Sequence, residues 1–568
     1  MYLRTTRRAR RDGSHVEYLQ LAHNARNPDT GHATAEIIHN FGRADQLNRD
    51  ELKRLCRSIA RVCGLVVNDP LQIAAEAPLQ SIGLPDGLSL VRTVELGPAA
   101  IIEALWDRLE IGKSLCPTRR TGDRLTALER ALLAMTVNRL CSPESKLGVW
   151  DRWLKTVYLP SCQGLMLRQM YEAMDHLHEN IEKVESQIFA ATANLFNLDV
   201  DVIFYDTTTA SFAIDEEDED GEEGAGLRRF GHSKEGGWSA QVVVALAVTR
   251  DGIPVRSWVF PGNTADVTTV EKVKSDLKDW KLGRAMFVAD AGMNSEDNKA
   301  ALARACGKYL LACRMASVKE IKDEVLSRPG RYKEVAENLH VKEVRIGEGG
   351  VRERRYLVCF NPDEAKRQRE HRETVITKLE EELSKHPRNK ALAQWAIQLK
   401  ASGRYGRYLK ITKSGKIRID RKAAREAARY DGKWVIETND DTLTPEDAAK
   451  GYKALLVIER CFRSLKRTQI KMAPMYHWVP RRIETHVKIC VLALLIERVI
   501  ERECGRPWPR ILCDLREVQA TLFETDSHQF YQRNEVPSAA RSIFKRLAVP
   551  LPKPILEITA RAEATETA

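Results

Sequence analysis

Two apolar segments of the chain each run into an aspartate. Residues 202–205 read Val-Ile-Phe-Tyr and are followed by Asp206, and residues 286–289 read Met-Phe-Val-Ala and are followed by Asp290. Such short apolar runs are typical of strands that are buried on both faces. A carboxylate at the end of a buried strand is either a turn-forming aspartate or the first ligand of a site, because strand ends in α/β sheets are where ligands and metals collect. Asp206 alone leaves both interpretations open.

The second aspartate suggests metal chemistry. If the two strands are neighbours, Asp206 and Asp290 emerge at one edge of the sheet, and two adjacent carboxylates either share a proton or hold cations. Two Mg²⁺ ions need oxygen ligands and keep water molecules for the substrate. A third acid from a nearby helix would complete the ligand set, and Glu459 is the candidate.

The segment around Glu459 has the spacing of one helix face. Tyr452, Glu459 and Lys466 are seven residues apart, which is nearly two turns of an α-helix, and Arg463 lies one turn beyond Glu459. An acid, basic groups and an aromatic hydroxyl on one face could meet metal ions and phosphates together. The same stripe could equally be an ordinary surface with ion pairs between residues four apart.

The surrounding elements follow the order β-β-β-α-β-α-β. After the strand that leads to Asp206, an apolar hairpin turns at Asp251–Gly252, a helix starts with Asp266 as its N-cap, and the strand to Asp290 follows. A helix and one more strand complete the pattern, which is that of a ribonuclease-H-like mixed sheet. Residues 317–432 interrupt it with a hairpin and a highly charged helix, and helices resume after residue 433.

The chain is too long for a single core, and its periodicity predicts five segments. They are a small β meander at 1–45, a mainly helical region at 46–195, a ribonuclease-H-like domain at 196–316 and 433–505, an insertion domain at 317–432, and a C-terminal helical tail at 506–568.

The composition of the chain indicates which kinds of partner we expect it to bind. The net charge of +11 favours a polyanionic partner. Twelve cysteines without a CxxC pair indicate reduced thiols in a cytosolic protein rather than a disulfide framework or a zinc site. The longest uncharged apolar run, residues 489–496, is far too short to span a bilayer. We therefore expect no membrane partner.

Clusters of basic residues are candidates for phosphate contact. One lies in the first turn of the meander and another follows the first acid. Each could equally be a solvated surface. The candidates are Arg7, Arg8, Arg10 and Arg11 in the first cluster and Lys234, beside Arg228, Arg229 and His232, in the second.

The motifs resemble a known family. Residues 452–466 are similar to the signature Y-x2-R-x3-E-x6-K of DDE transposases from bacterial insertion sequences, in the insertion-sequence-four-like group, with Tyr452, Glu459 and Lys466 in register. Leu455 stands where the signature has arginine, which puts one DNA contact in doubt. The stretches YDTTT, FPGNTADVTTV, VADAGM, ERCFRSLK and YHWVPRRIETH resemble the branch with an N-terminal β region, and the resemblance covers roughly residues 2–500.

The resemblance implies a transposase that binds the inverted-repeat ends of its element, cleaves DNA by two-metal hydrolysis and joins the 3′-OH ends to target DNA. It implies Asp206, Asp290 and Glu459 as catalytic metal ligands for two Mg²⁺ ions, for which Mn²⁺ can substitute, with no organic cofactor. Tyr452, Arg463 and Lys466 would contact phosphates. The implied partners are double-stranded DNA and a second copy in a homodimeric synaptic complex, in the bacterial cytoplasm at the nucleoid.

Three other functions fit parts of the sequence. A two-metal nuclease of the same fold would cleave without joining strands. A domesticated, non-enzymatic DNA-binding protein has no need for three acids in register, so the acids argue against it. A ribonuclease that processes RNA would share the sheet, although the large insertion and the helical N-terminal region fit the handling of DNA ends better.

Overall fold

The chain divides into two compact units, residues 1–86 and 87–568. The computed structural model describes residues 2–9, 15–26, 33–43, 88–120, 122–198, 200–220, 226–280, 282, 284–347, 353–386, 390 and 393–560.

The described part of the first unit is a three-stranded antiparallel sheet in the order β1-β2-β3. Its strands are β1 Tyr2–Ala9, β2 His15–Arg26 and β3 Ala33–Arg43. This sheet confirms the predicted N-terminal β region. Arg7 and Arg8 lie on β1, whereas Arg10 and Arg11 are outside the described residues.

A ten-stranded mixed sheet forms the centre of the second unit. Its order is β11-β12-β13-β16-β10-β9-β5-β7-β6, and β8 also pairs with β7. Only the β5–β9 and β9–β10 pairs are parallel. The strands are β5 Val202–Ser211, β6 Arg229–His232, β7 Trp238–Val248, β8 Pro254–Pro261, β9 Met286–Ala289, β10 Tyr309–Cys313, β11 Lys333–Ala336, β12 Leu339–Ile346, β13 Arg354–Phe360 and β16 Lys433–Thr438. The predicted mixed, ribonuclease-H-like sheet is confirmed, with β6 as an additional short strand.

Helices cover both faces of this sheet, which is why its inner strands are apolar runs rather than alternating ones. On one face Tyr205 and Phe287 pack with Val273 of the helix that follows β8, and on the other Phe204 belongs to the core that includes Ile458. The helices on these faces are α7 Asp266–Asp279, α8 Glu296–Ala303, α12 Pro445–Lys453, α13 Leu456–Arg463 and α14 Pro480–Cys504.

A helical layer precedes the sheet, as the sequence predicts. The long helix α14 is buried along most of its length because it packs against two of these earlier helices, α3 and α5. The layer consists of α1 Gly97–Arg108, α2 Ile111–Leu115, α3 Arg124–Cys141, α4 Lys146–Asp151, α5 Leu167–Glu179 and α6 Ile181–Phe196. No described helix is long and apolar enough to cross a membrane.

The segment predicted as an insertion has two parts. Its hairpin is not separate: β13 pairs with β16 from Arg355↔Thr438 to Phe360↔Lys433, so β11–β13 extend the central sheet and cover the edge that β16 would otherwise expose. The rest packs around Val375 and Leu379 in a small core of its own. It contains α9 Pro362–Ser384, α10 Gln394–Ala401, α11 Arg421–Ala428, β14 Leu409–Ile411 and β15 Ile417–Ile419.

The C-terminal segment is not the helical tail that the sequence predicts. Three of its strands join a strand from residues 89–95 in a sheet of order β19-β18-β17-β4. The partner β4 lies more than 400 residues earlier, and a polar strand such as HQFYQR gives no apolar period by which to recognise it. The elements are β4 Ser89–Glu95, α15 Trp508–Arg516, β17 Gln519–Glu524, β18 His528–Arg533, α16 Ser538–Arg546 and β19 Ile555–Ala560.

Several short segments form 3₁₀ or π turns. The 3₁₀ turns are Trp153–Lys155, Pro160–Cys162, Ala291–Met293, Arg304–Cys306 and Gly406–Tyr408, and the π turns are Ile321–Val325 and Ser464–Thr468.

Gly262 tests the packing of the sheet beside β6. A Cβ atom at this position would lie 2.0 Å from the carbonyl oxygen of Gln241 and 2.4 Å from that of Arg229, and neither backbone atom can move alone. We expect Gly262→Ala to lower the free energy of unfolding by about 1–3 kcal/mol, measured by urea unfolding. Gly403→Ala is the control, since its Cβ would meet nothing within 4 Å. Equal stabilities of the two variants would contradict this packing.

Candidate active site

Asp206 and Asp290 lie side by side in the sheet. Strands β5 and β9 are parallel and their last paired residues are Tyr205 and Ala289, so the next residue on each strand is an aspartate. Strand β5 itself does not stop at Asp206 as the sequence predicts. It continues to Ser211 because β7 stays paired with it on the other side. Asp206 therefore lies where β5 loses one neighbour, and that loss opens the site.

The environment of Asp206 disfavours its negative charge. Burial raises the pKa of Asp206 to about 6, the Lys234 ammonium and the Thr207 backbone N–H oppose this rise, and the charges of Asp290 and Asp266 add to it. The Thr207 N–H donates to Asp206 Oδ1 at 2.7 Å. The raised pKa means that at neutral pH the site holds a carboxylate at a cost in free energy. A bound cation would offset that cost.

Asp266 is a third acid at this site, and the sequence does not reveal it. It is the first residue of α7 rather than its N-cap, since Ala265 occupies the cap position without a side-chain hydrogen bond. The Asp266 carboxylate instead accepts a hydrogen bond from Thr207 Oγ1 at 2.5 Å. An acid in the first turn of a helix is common for reasons of the helix dipole alone, so its position along the chain carries no functional signal.

Lys234 lies among these acids. Its Nζ is 3.1 Å from Asp266 Oδ2 and 3.6 Å from Asp206 Oδ1. It also donates to the Thr207 carbonyl oxygen at 2.7 Å and to Thr207 Oγ1 at 2.6 Å. Lys234, which the sequence suggests as a DNA contact, thus contacts two members of the acid cluster, which we define as Asp206, Asp266 and Asp290. It supplies part of the positive charge that the aspartates require.

Tyr452 connects helix α12 to Asp290. Its hydroxyl donates to Asp290 Oδ1 at 3.2 Å. Burial, together with the neighbouring charges of Asp290 and Asp206, raises the pKa of the Tyr452 hydroxyl well above its usual value. The hydroxyl therefore stays protonated and acts as a hydrogen-bond donor that orients Asp290.

Glu459 is placed differently from the two aspartates. It lies on α13, which packs against β5 and β7, and its side chain is exposed. Within the ranges that the structure describes, no three His, Cys, Asp or Glu side chains are close enough to hold one metal ion. The structure thus places Asp206 and Asp290 next to each other at the end of the β5–β9 pairing, and within the described residues Glu459 does not complete a three-acid group with them.

The predicted continuous helix around Glu459 is wrong. Helix α12 ends at Lys453, α13 begins at Leu456, and a π turn follows from Ser464. Leu455 N bonds to the Tyr452 carbonyl at 2.9 Å and Val457 N to the Ala454 carbonyl at 2.9 Å, which is 3₁₀ geometry. A 3₁₀ turn has three residues per turn instead of 3.6, so the seven-residue stripe from Tyr452 to Glu459 is not that of one α-helix.

The two basic residues after Glu459 have different surroundings. Lys466 lies in the π turn, with its Nζ 2.9 Å from Glu235 Oε1 and 3.3 Å from Thr208 Oγ1, and it is only 14% exposed. Arg463 is exposed. Lys466 therefore lies near the acid cluster, because Thr208, which it contacts, is two residues from Asp206 on strand β5.

Comparison with known families identifies the chain. A model described as a transposase DDE domain matches residues 201–496, and one described as an IS1634 family transposase N-terminal domain matches residues 3–69. The chain belongs to the DDE transposases of insertion sequences. No curated protein matches this transposase. One solved structure with a weak likeness is a cryo-EM structure of the piggyBac transposase synaptic complex with hairpin DNA, at 8% identity and a TM-score of 0.34 over 80% of this chain and 86% of that one. That likeness is too low to support an argument.

Replacing Asp206 tests whether this site is built for a cation. Asp206→Asn removes a charge that burial disfavours, so it should raise the free energy of unfolding at pH 7.5 by about 1–3 kcal/mol in EDTA. The sign follows from the raised pKa of about 6, since the charged form is penalised above that pH. Mn²⁺ should stabilise the wild type more than the variant, measured by thermal unfolding.

The matched control is Asp526→Asn, because Asp526 is exposed. It should change neither quantity. A destabilised Asp206→Asn protein, or one that Mn²⁺ stabilises as much as the wild type, would show that Asp206 has a structural role.

Proposed function

We propose that this transposase binds the inverted-repeat ends of its insertion sequence, cleaves DNA by metal-dependent phosphodiester hydrolysis and joins the freed 3′-OH ends to target DNA. The observation that supports this most directly is the placement of Asp206 and Asp290 side by side, where β5 loses its partner β9. A cluster of carboxylates with too little positive charge fits a divalent metal ion better than it fits a nucleophilic side chain.

Asp206 and Asp290 would hold two Mg²⁺ ions, for which Mn²⁺ can substitute, and Glu459 would complete the ligand set from the helix packed against β5. When bound, such a pair of ions activates a water or a 3′-hydroxyl and stabilises the leaving oxygen. The Glu459 carboxylate is available for this role, because its side chain is exposed.

The neighbouring side chains would orient these groups and the DNA. Tyr452 keeps Asp290 in place by donating its hydroxyl hydrogen, and Lys234 offsets charge between Asp206 and Asp266. Lys466 would exchange its Glu235 partner for a phosphate of the DNA, since an ammonium binds either anion. Arg463 would contact a phosphate from the exposed face of α13.

Binding of the element ends would involve the N-terminal part of the chain. The arginines at positions 7, 8, 10 and 11 and the net charge of +11 support contact with double-stranded DNA. We assign residues 1–45 and the helices to about residue 195 to end recognition and to formation of a homodimer in the synaptic complex.

A cleavage and joining assay with DNA that carries an element end tests this function. Glu459→Gln should reduce cleavage at least about 100-fold, because a metal ligand contributes several kcal/mol to the transition state. Binding of the end, measured by fluorescence anisotropy, should remain, because the side chain is exposed and its replacement does not disturb the core. Glu517→Gln, at another exposed glutamate, is the control for removing one negative charge.

The outcomes separate the alternatives. Full cleavage by Glu459→Gln would remove Glu459 from the site. Cleavage by the wild type without joined products would favour the nuclease that never transfers strands, and binding without cleavage would favour the non-enzymatic DNA-binding protein.

A further inference from the structure

A cavity of about 690 Å³ lies between the helical layer and the segment that follows Lys466. We call it the basic pocket. Its walls come from the end of α3, α4 and the loop between them, from α5, and from residues 471–486. Its lining includes Arg139, Lys146, Tyr476, His477, Trp478 and His486.

Two cations in this pocket are buried without a carboxylate partner in the described part of the chain. Lys146 is 4% exposed, and its Nζ lies 3.3 Å from His486 Nδ1. Arg139 is 5% exposed and donates to the backbone carbonyls of Lys471 and Glu144, while its Nε has no hydrogen-bond partner. Burying a charge without a counter-ion is costly, so such a pair is unusual unless an anion completes it.

The acids near the pocket are engaged elsewhere. The Glu144 carboxylate pairs with Arg152 at 2.8 Å, and Asp175 pairs with Arg482 at 2.8 Å. Two of the other lining cations thus have carboxylate partners, and Lys146 and Arg139 do not share them. The positive charge of the pocket is left uncompensated at Lys146 and Arg139.

The two histidines of the pocket, His477 and His486, do not neutralise the positive charge of Lys146 and Arg139. His486 Nε2 donates to the Met472 carbonyl oxygen at 2.9 Å, which leaves Nδ1 as the acceptor for Lys146. Burial and the charges of Lys146 and Arg139 hold the pKa of His486 well below its usual value, and burial holds that of His477 at about 3. Burial and the charge of Arg139 also lower the pKa of Lys146 to about 7. Below pH 7 Lys146 is therefore protonated, and Lys146 and Arg139 then place two buried positive charges in the pocket.

The rim of the pocket offers flat apolar surface to the solvent. Tyr476 and Trp478 are 67% and 66% exposed, which is high for large aromatic side chains. The guanidinium of Arg228 lies 4.5 Å from the Trp478 ring, which links the rim to the start of β6. Exposed aromatic rings beside uncompensated cations are the combination that holds the bases and phosphates of a nucleic acid strand.

The pocket is connected to the acid cluster through the chain. Its residues 471–478 begin five positions after Lys466, and Lys466 Nζ is 3.3 Å from Thr208 Oγ1. The rim segment therefore follows closely, along the chain, a residue that contacts the strand of Asp206. We propose that the basic pocket binds a backbone phosphate of the DNA substrate through Lys146 and Arg139, with the adjoining nucleotide against Tyr476 or Trp478. This assignment rests on the proposed function, because that function supplies the DNA.

Lys146→Met tests the proposal in two measurements on the full chain. In chloride buffer at pH 6, below the pKa of Lys146, the variant should have a higher melting temperature than the wild type, because it removes an uncompensated buried charge. A lysine with only a structural role would give a lower one. Sodium phosphate, compared with chloride at equal ionic strength, should raise the melting temperature of the wild type by more than that of the variant. The general salting effect of phosphate cancels in this difference.

Lys488→Met is the matched control, since Lys488 is also a buried lysine but has a carboxylate partner, Glu185, at 2.8 Å. It should lower the melting temperature and keep the full phosphate effect. Lys146→Arg keeps the positive charge and should also keep the phosphate effect. If Lys146→Met does not fold, Lys146→Gln replaces it. A wild type that phosphate stabilises no more than it stabilises the neutral variant overturns the proposal.

The second measurement is binding of a duplex that carries an element end, by anisotropy at several salt concentrations. Lys146→Met should bind about 10-fold more weakly, with the slope of log K against log salt reduced by about 1. Unchanged binding and slope overturn the basic pocket while the proposed function stands. A wild type that binds ends no better than random duplex refutes end recognition, and the phosphate measurement still tests the pocket.

Discussion

The burial of the Asp206 carboxylate beside Asp290 is the constraint on which the rest of the site depends. The parallel pairing of β5 with β9 places the backbones of these two aspartates next to each other. Asp266 adds a third negative charge, and Lys234 is the cation that contacts Asp206 and Asp266. The cluster carries more negative than positive charge, so it favours the binding of cations.

The central sheet and the helices on its two faces form the frame that positions Asp206 and Asp290. Strand β5 is buried between two helical layers and keeps β7 as a partner after β9 ends, so the backbone at Asp206 remains fixed while its side chain gains space. Tyr452 and Lys466 approach the cluster from elements on either side of α13. The 3₁₀ turn before α13 and the π turn after it change the direction of side chains that a single helix would align.

Much of this frame is encoded in local sequence. The apolar runs that lead to Asp206 and Asp290 predict buried strands, and the order of strands and helices predicts the mixed sheet, because burial leaves a pattern that can be read over a few residues. The family motifs add the predicted function, which the local pattern of strands and helices does not give.

The features that the sequence does not reveal depend on distant partners. Strand β5 continues to Ser211 because β7 pairs with it, and β17 and β18 form because β4 joins them from the other end of the chain. The role of Asp266 depends on Thr207 and Lys234, which are 59 and 32 positions away in sequence, and the first residue of a helix looks the same with or without such contacts. The position of Glu459 depends on a helix break at Ala454, whereas the nearest glycine, Gly451, lies inside α12 and does not mark the break itself.

The central claim is that Asp206, Asp290 and Glu459 together hold a pair of metal ions when DNA is bound. Anomalous diffraction from crystals of the transposase with element-end DNA and Mn²⁺ measures this directly. The account predicts two manganese peaks about 3.5–4 Å apart, with Asp206 and Asp290 as ligands and Glu459 bound to at least one ion. Manganese absent from Asp206 and Asp290, or a Glu459 carboxylate that remains apart from both ions, would contradict it.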